Sequence, residues 1–383
     1  MRNALFICSL LLLSACATQK TQAINPPPPP INSDLFNLTA QNVITKRELI
    51  QLTPRQIEEI NVFALQPHIA ALSKREQATA FIKRKMVNFD YEGKNLPANV
   101  AFDQMHGNCM TLALLSYSIA MAFDVDISFQ RMFTAPMLLN IDSDFMVTSD
   151  HVRSFLSEKT GQPNSASDEP QMVTVIDYFP DRFDRAGEKI SEAQFFAMLY
   201  RNFAADALLE GRYVQAMALL NEAITYAPYF APALDMVAIA HRRMGDAASA
   251  QAFYQFALEN GSTSKLNTLN NYYVLLLSIG DTHGAENLQR QLQRLDDESP
   301  YGWYLVANDA INAGDLSAAK LYLERFIERT AYYYPAYLQL AKVEYQLGNT
   351  AAAKRALNKA LVYVEIPERE RQYRAKLAWL SDK

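Results

Sequence analysis

Histidine, cysteine and glycine are all scarce in this chain, at five, three and 12 of 383 residues. The few histidines and cysteines form no cluster with acidic residues at metal-ligand spacing, and no glycine-rich phosphate loop occurs, so neither metal nor cofactor is expected. Charge is modest and mixed: 36 lysines and arginines stand against 41 aspartates and glutamates, a net of −5. Without a basic patch or a charge run, nucleic acid is excluded as a partner. What the chain does have is apolar material, half of its residues, in a globular composition throughout. Beyond the N-terminal segment, roughly 350 residues of this kind suit two domains better than one.

Met1-Arg2-Asn3 supplies a short positive region and residues 4–13 an apolar core, too short to cross a bilayer as a mature helix. Leu13-Ser14-Ala15-Cys16 resembles a bacterial lipobox. That resemblance implies a signal peptide over residues 1–15 and a lipidated Cys16 as the mature N-terminus, anchored stably by several acyl chains. Ala17, rather than aspartate, follows; by resemblance to sorted lipoproteins this implies the outer membrane, facing the periplasm. The alternative is an ordinary secretory signal with a stray cysteine. Residues 16–33 form a polar, proline-rich linker, and the five consecutive prolines 26–30 read as a stiff spacer of ~3 Å per residue. Cys8 leaves with the signal and Cys16 is blocked, so Cys109 alone remains and a structural disulfide is excluded.

Cys109 follows Gly107-Asn108 and opens the apolar run 110–123. This reads as a tight turn feeding a helix, with Asn108 as its cap and Cys109 in its first turn. A thiol there meets unsatisfied backbone N–H groups and the positive end of the helix dipole, and both favour the thiolate. Downstream stand His151 and Asp177, each beside a strand-like segment. Cysteine on a helix, then histidine and aspartate on strands, is the layout of a thiol acyl-transfer triad. Taken alone, Cys109 would read as an inert buried thiol. His106 reads as a loop residue, as do Asp181 and Asp184, the rivals of Asp177 that follow Pro180.

Thr53-Pro54 and Ser73 mark helix starts. Strand-like runs cover residues 125–133, 144–148 and 171–178, with a surface loop over 158–169. Helices followed by a short antiparallel sheet make an α+β domain, placed over residues 34–195.

The remainder, residues 196–383, repeats. Gly211, Gly245, Gly280, Gly314 and Gly348 recur at intervals of 34, 35, 34 and 34, and five residues after each stands Ala216, Ala250, Ala285, Ala319 or Ala353. Ala223, Ala257 and Ala360 add a second small position, which Leu292 and Phe326 occupy in the third and fourth repeats. The pattern resembles the tetratricopeptide repeat, about five copies with a charged capping helix at the end. It implies an all-α superhelix whose groove binds a protein or peptide. Tyr272, Tyr273, Tyr301, Tyr304, Tyr332, Tyr333, Tyr334 and Tyr337 are read slightly in favour of that groove over plain packing.

Residues 99–115, with His151 and Asp177 beyond them, resemble the bacterial transglutaminase-like superfamily, papain-like in fold, over roughly residues 75–180. The resemblance implies a Cys109–His151–Asp177 triad: Cys109 attacks an amide carbonyl, His151 protonates the departing amine and Asp177 orients the imidazole. Gln104 is an oxyanion candidate beside the Cys109 N–H; its other reading is a solvated polar residue. The reading that follows is a lipid-anchored envelope acyltransferase or hydrolase carrying a repeat array. Its alternative is a catalytically silent transglutaminase-like fold in an assembly scaffold that works by protein–protein contact.

Overall fold

The computed structural model describes residues 26–133, 151–159, 172–178, 184–261, 265–296, 301–364 and 367–381. The expected signal, Cys16, Asp181 and the strand at 144–148 lie outside the described residues.

The first part opens with helices α1 (Lys46–Ile50), α2 (Pro54–Ala64), α3 (Pro67–Ala70) and α4 (Lys74–Met86). Thr45, Thr53 and Ser73 start α1, α2 and α4 with capping boxes: each hydroxyl accepts from the N3 amide, and Glu48, Gln56 or Glu76 returns the bond. Two orphan amides per helix are thereby satisfied, which is why Thr53 and Ser73 were legible as starts; the Thr45 start was not read from the sequence. Strand β1 (Asp90–Tyr91), helix α5 (Ala98–Gln104), strand β2 (His106–Gly107) and helix α6 (Cys109–Ala122) follow, with β1 and β2 bridged in parallel. Residues 109–120 of α6 are buried on every side; a helix apolar all round belongs in the centre of a core.

That core is closed by β3 (Val125–Phe133), β4 (His151–Glu158), β5 (Val173–Ile176) and β6 (Arg185–Ile190), in the order β5-β4-β3-β6 with every pairing antiparallel. Val152, Ser154 and Leu156 of β4 are fully buried while the residues between them are half-buried, the period-two mark of one covered face. The expected strand 125–133 matches β3 and the run 171–178 contains β5. Two strands differ from expectation: His151 begins β4 instead of following a strand, and β6 was not foreseen, because only Ile190 of its six residues is buried.

The array begins at α7 (Glu192–Leu209), so its first helix starts ahead of the boundary placed at 195. It continues through α8 (Tyr213–Tyr226), α9 (Ala231–Arg243), α10 (Ala247–Asn260), α11 (Leu266–Ser278), α12 (Thr282–Arg294), α13 (Gly302–Asn312), α14 (Leu316–Arg329), α15 (Tyr334–Gln346) and α16 (Thr350–Tyr363) to α17 (Pro367–Ser381). The five period glycines end the first helix of each pair, with φ between +73° and +83°. The residue after each donates its N–H to the carbonyl five positions back, at 2.8–3.0 Å. This is the Schellman geometry that left-handed glycine makes accessible. Asp246, Asp281 and Asp315 then cap the second helix through their side chains. The alanines five residues past each glycine are all buried, as are Leu292 and Phe326, so small side chains set the helix approach and larger ones fill two of the later layers.

Phe195 and Phe196 of α7 pack on the first part. The Phe195 ring stacks on Phe129 at 3.9 Å, and Tyr117 of α6 meets both phenylalanines. One continuous apolar cluster therefore runs from α1 through the sheet into the array.

Two expectations need correction. Residues 26–36 do not stand away from the fold as a spacer. The Tyr229 hydroxyl donates to the Pro26 carbonyl, and Asn32 Nδ2 donates to Asp246 at 2.7 Å. Phe36, 1% exposed, meets the His241 ring edge-on at 5.0 Å. A polyproline segment leaves its own carbonyls unpaired, and the array's tyrosine and amide-binding carboxylate take up this strap. The tyrosines, in turn, are mostly packing: Tyr272, Tyr301, Tyr304, Tyr333, Tyr334 and Tyr337 are buried, and Tyr301, Tyr304 and Tyr333 surround Phe326. Only Tyr273 and Tyr332 of the eight keep partial exposure.

Candidate functional site

Cys109 is the first residue of α6 and is 4% exposed. Asn108 caps the helix, its Oδ1 accepting from the Thr111 N–H at 2.8 Å. Gly107 has φ +146°, and a Cβ there would come within 2.6 Å of the Thr111 methyl; only glycine brings the chain this close to the helix it is about to enter. The turn is tied down on its other side. The Asn108 N–H and the Thr111 hydroxyl both donate to the Lys94 carbonyl, at 3.0 and 2.9 Å, and the Leu96 N–H donates to the Thr111 hydroxyl at 3.0 Å. The expected cap is thus observed, along with a rigid cradle formed by residues 93–96.

Tyr178, just past β5, is buried at the centre of the region. Its hydroxyl lies 2.5 Å from Ser154 Oγ of β4 and in hydrogen-bond reach of Ser116, two turns along α6 from Cys109. Burial pushes the phenol well above its ordinary value, and the charges of Asp177 and Cys109 push it further. A like-charge effect requires proximity, so Cys109 and Asp177 both lie in the neighbourhood of this buried phenol. Asp177 itself accepts from Arg153 Nε at 2.9 Å and Nη2 at 2.6 Å, both on Oδ2. His151 stands two residues before Arg153 at the start of β4, opposite Met132 of β3. The side chain of His151 lies outside the described residues.

Gln104 ends α5 and is exposed; Met105 beyond it takes the left-handed conformation, φ 55°, that turns the chain into β2. His106 is not a loop residue. It pairs with Asp90 through the β1–β2 bridge, and its Nδ1 lies 3.4 Å from Glu92. Asp184 immediately precedes β6. Among the described residues no group of three or more histidine, cysteine or acidic side chains could hold a metal ion. No helix among them is long and apolar enough to cross a membrane.

Tyr178, Ser154 and Ser116 were not singled out from the sequence. The alternation of Ile176 and Tyr178 about Asp177 carried the one usable signal, placing Tyr178 on the inward face of a strand.

Residues 334–361, the α15–α16 pair, match the tetratricopeptide repeat. No curated protein matches the chain. Among solved structures, similarity is found to pilF of Pseudomonas aeruginosa, at 18% identity over 50% of this chain and 87% of that one, TM-score 0.33. YrrB, described as a tetratricopeptide protein with an unusual peptide-binding site, is 16% identical over 47% of this chain and 92% of that one, TM-score 0.28. PilW, described as a type IV pilus biogenesis factor, is 18% identical over 49% and 93%, TM-score 0.32. The C-terminal region is an all-helical array of this repeat type, and the part before it holds a small antiparallel sheet. Such repeats suggest a role in protein–protein interaction or scaffolding.

Proposed function

We propose that this chain is a membrane-tethered thiol acyltransferase or hydrolase of the cell envelope, acting on peptide or protein amides, with the repeat array holding the substrate or a partner. The observation that carries the reading is the position of Cys109 at the capped N-terminus of a buried helix. The resemblance of residues 75–180 to the transglutaminase-like superfamily supports the same assignment.

In this mechanism Cys109 Sγ, as thiolate, attacks the amide carbonyl carbon, and the carbonyl π electrons move to oxygen. In this reading the Cys109 backbone N–H, in the first turn of α6, is the oxyanion donor, with Gln104 as a second donor. Collapse breaks the C–N bond and forms a thioester, and His151 delivers its proton to the departing amine. Asp177 orients His151 and stabilises its cation. Water or a second amine, deprotonated by His151, then takes the acyl group and restores the thiolate. Cys16, acylated, tethers the chain to the outer membrane on its periplasmic face.

A second reading is a silent fold within a scaffold lipoprotein. It is favoured by the Arg153 ion pair, since two bonds to one carboxylate oxygen make Asp177 a structural partner of its own strand neighbour. The test is the pH dependence of Cys109 alkylation by iodoacetamide, in the chain from residue 17 and in its His151→Ala variant. A working dyad gives a thiolate pKa well below ~8.5 that rises when His151 is removed. A slow reaction that ignores His151 would sink the enzyme reading and leave the scaffold.

A further inference from the structure

Residues 93–96, which cradle the Cys109 turn, are themselves held by the repeat array. Asn95 is the link. Its Oδ1 accepts from Asn108 Nδ2 at 2.7 Å, while its Nδ2 donates to Asp206 Oδ2 at 2.8 Å and to the Asn202 carbonyl at 3.3 Å. Asp206 and Asn202 belong to α7, the first helix of the array. Asn95 therefore uses both amide hydrogens on α7 and its carbonyl on the helix cap, an orientation that an amide flip would break at every contact. Asn108 is committed in the same way: Nδ2 to Asn95, Oδ1 to the Thr111 N–H, and its backbone N–H to Lys94. The path from the array to the N-terminus of the cysteine helix is thus three side chains long: Asp206, Asn95, Asn108.

We propose that Asn95 and Asp206 are positioning residues for Cys109, so that α7 of the array is part of the machinery that sets the nucleophile. This rests on the acyl-transfer reading above. Helix caps work by geometry: an N-cap amide rotated away from its N3 amide exposes that amide and frays the first turn. Here the first turn carries the sulfur, so fraying it removes the environment that favours the thiolate. The charge assistance of the Asp206 carboxylate makes its bond to Asn95 the strongest link in the path. The array is then no mere adapter fused to a catalytic part, because the catalytic turn is incomplete without it.

The experiment uses the chain from residue 17 and compares Asn95→Ala, Asp206→Ala and Asp206→Asn, the last retaining an acceptor for Asn95. Two quantities are read: the pH profile of Cys109 alkylation, and amide hydrogen exchange over residues 105–115, with thermal melting as a check on folding. Asn95→Ala and Asp206→Ala should slow alkylation at pH 7 about fivefold, the equivalent of one lost cap, and raise exchange locally, while Asp206→Asn stays near wild type. Local exchange and alkylation unchanged in both alanine variants would overturn the proposal. So would Asp206→Asn behaving like Asp206→Ala, which would mean that the hydrogen bond is not the cause. If the wild-type thiol ignores His151 while exchange still rises in the alanine variants, the acyl-transfer reading fails and the mechanical link stands. If the thiol depends on His151 but not on Asn95 or Asp206, only this inference fails.

Discussion

Asp235→Asn should stabilise the protein at alkaline pH and do little in acid. Asp235 lies on α9 and is buried; the Thr268 hydroxyl of α11 donates to its Oδ2 at 2.9 Å, and its Oδ1 has no hydrogen-bond partner among the described residues. The buried hydroxyl of Tyr254 on α10 also lacks a partner. Burial raises the Asp235 carboxyl from 3.8 to about 7, and the Thr268 bond offsets this only in part. Such a group stabilises the folded state fully below its unfolded value, near 3.8, and that contribution is lost as pH rises through about 7. At 1.36 kcal/mol per pH unit, the full loss by pH 8 is ~4 kcal/mol, an upper figure because water and relaxation soften buried charges. Asparagine has nearly the shape of the protonated acid. Its Oδ1 keeps the Thr268 bond.

The assay is urea unfolding followed by circular dichroism at pH 5 and pH 8, for wild type and Asp235→Asn. The difference between the two proteins isolates Asp235 from the other titrating groups. Asp309, raised by burial to about 6, loses stability over a similar range in both proteins. His241, lowered by burial, and Asp246, held near 2 mainly by the Ser249 amide and the Asn32 side chain against its own burial, lose theirs as pH falls. The variant should gain stability at pH 8 and lose most of that gain at pH 5. An equal effect at both values, of either sign, would refute the reasoning, for it would mean that Asp235 does not ionise across this window.

Phe36→Ala should cost ~3 kcal/mol, the price of a large buried ring, and should free residues 26–32 to protease cleavage; protection equal to wild type would mean the strap is held by Tyr229 and Asp246 alone. Ala250→Leu forces a branched side chain between α9 and α10 and should cost ~1–3 kcal/mol, read as a lower urea midpoint, whereas a neutral result would deny that this small position sets the helix approach. The His151→Ala alkylation profile and the Asp206 series complete the set, and each distinguishes a wrong mechanism from a wrong fold.

The array was legible because its instructions are local and repeated. A left-handed glycine followed by aspartate both ends one helix and caps the next. The alanine five residues on is a steric demand that no larger side chain meets in those layers. The turn at Gly107-Asn108-Cys109 was legible for the same reason: cap and glycine act within four residues. What failed to show were contacts across sequence distance. The strap meets Asp246 from 214 residues away, and Asn95 meets Asp206 from 111. An asparagine in a polar loop carries no local sign of such a partner. The tyrosines misled because amphipathic rings suit a wet groove and a packed interface equally, and only the neighbours decide.

Those long-range contacts change how the two parts relate. A catalytic part joined to a recognition part by a flexible segment would keep its own core and its own helix caps. Here Phe195 and Phe196 of α7 complete the core beside Phe129 and Tyr117, and Asp206 of the same helix holds Asn95, which in turn accepts from Asn108, the cap of the cysteine helix. The strap from the other end of the chain then lies across α9 and α10. One helix therefore serves as the wall of one part and the first repeat of the next. Glu210 and Arg212 form an ion pair at the Gly211 turn, one turn beyond Asp206. Burial raises the Asp206 carboxyl, and the Asn95 hydrogen bond counters it. Removing the Asp206 acceptor releases the Asn95 amide and loosens the cap with it, whereas Asp206→Asn keeps that bond.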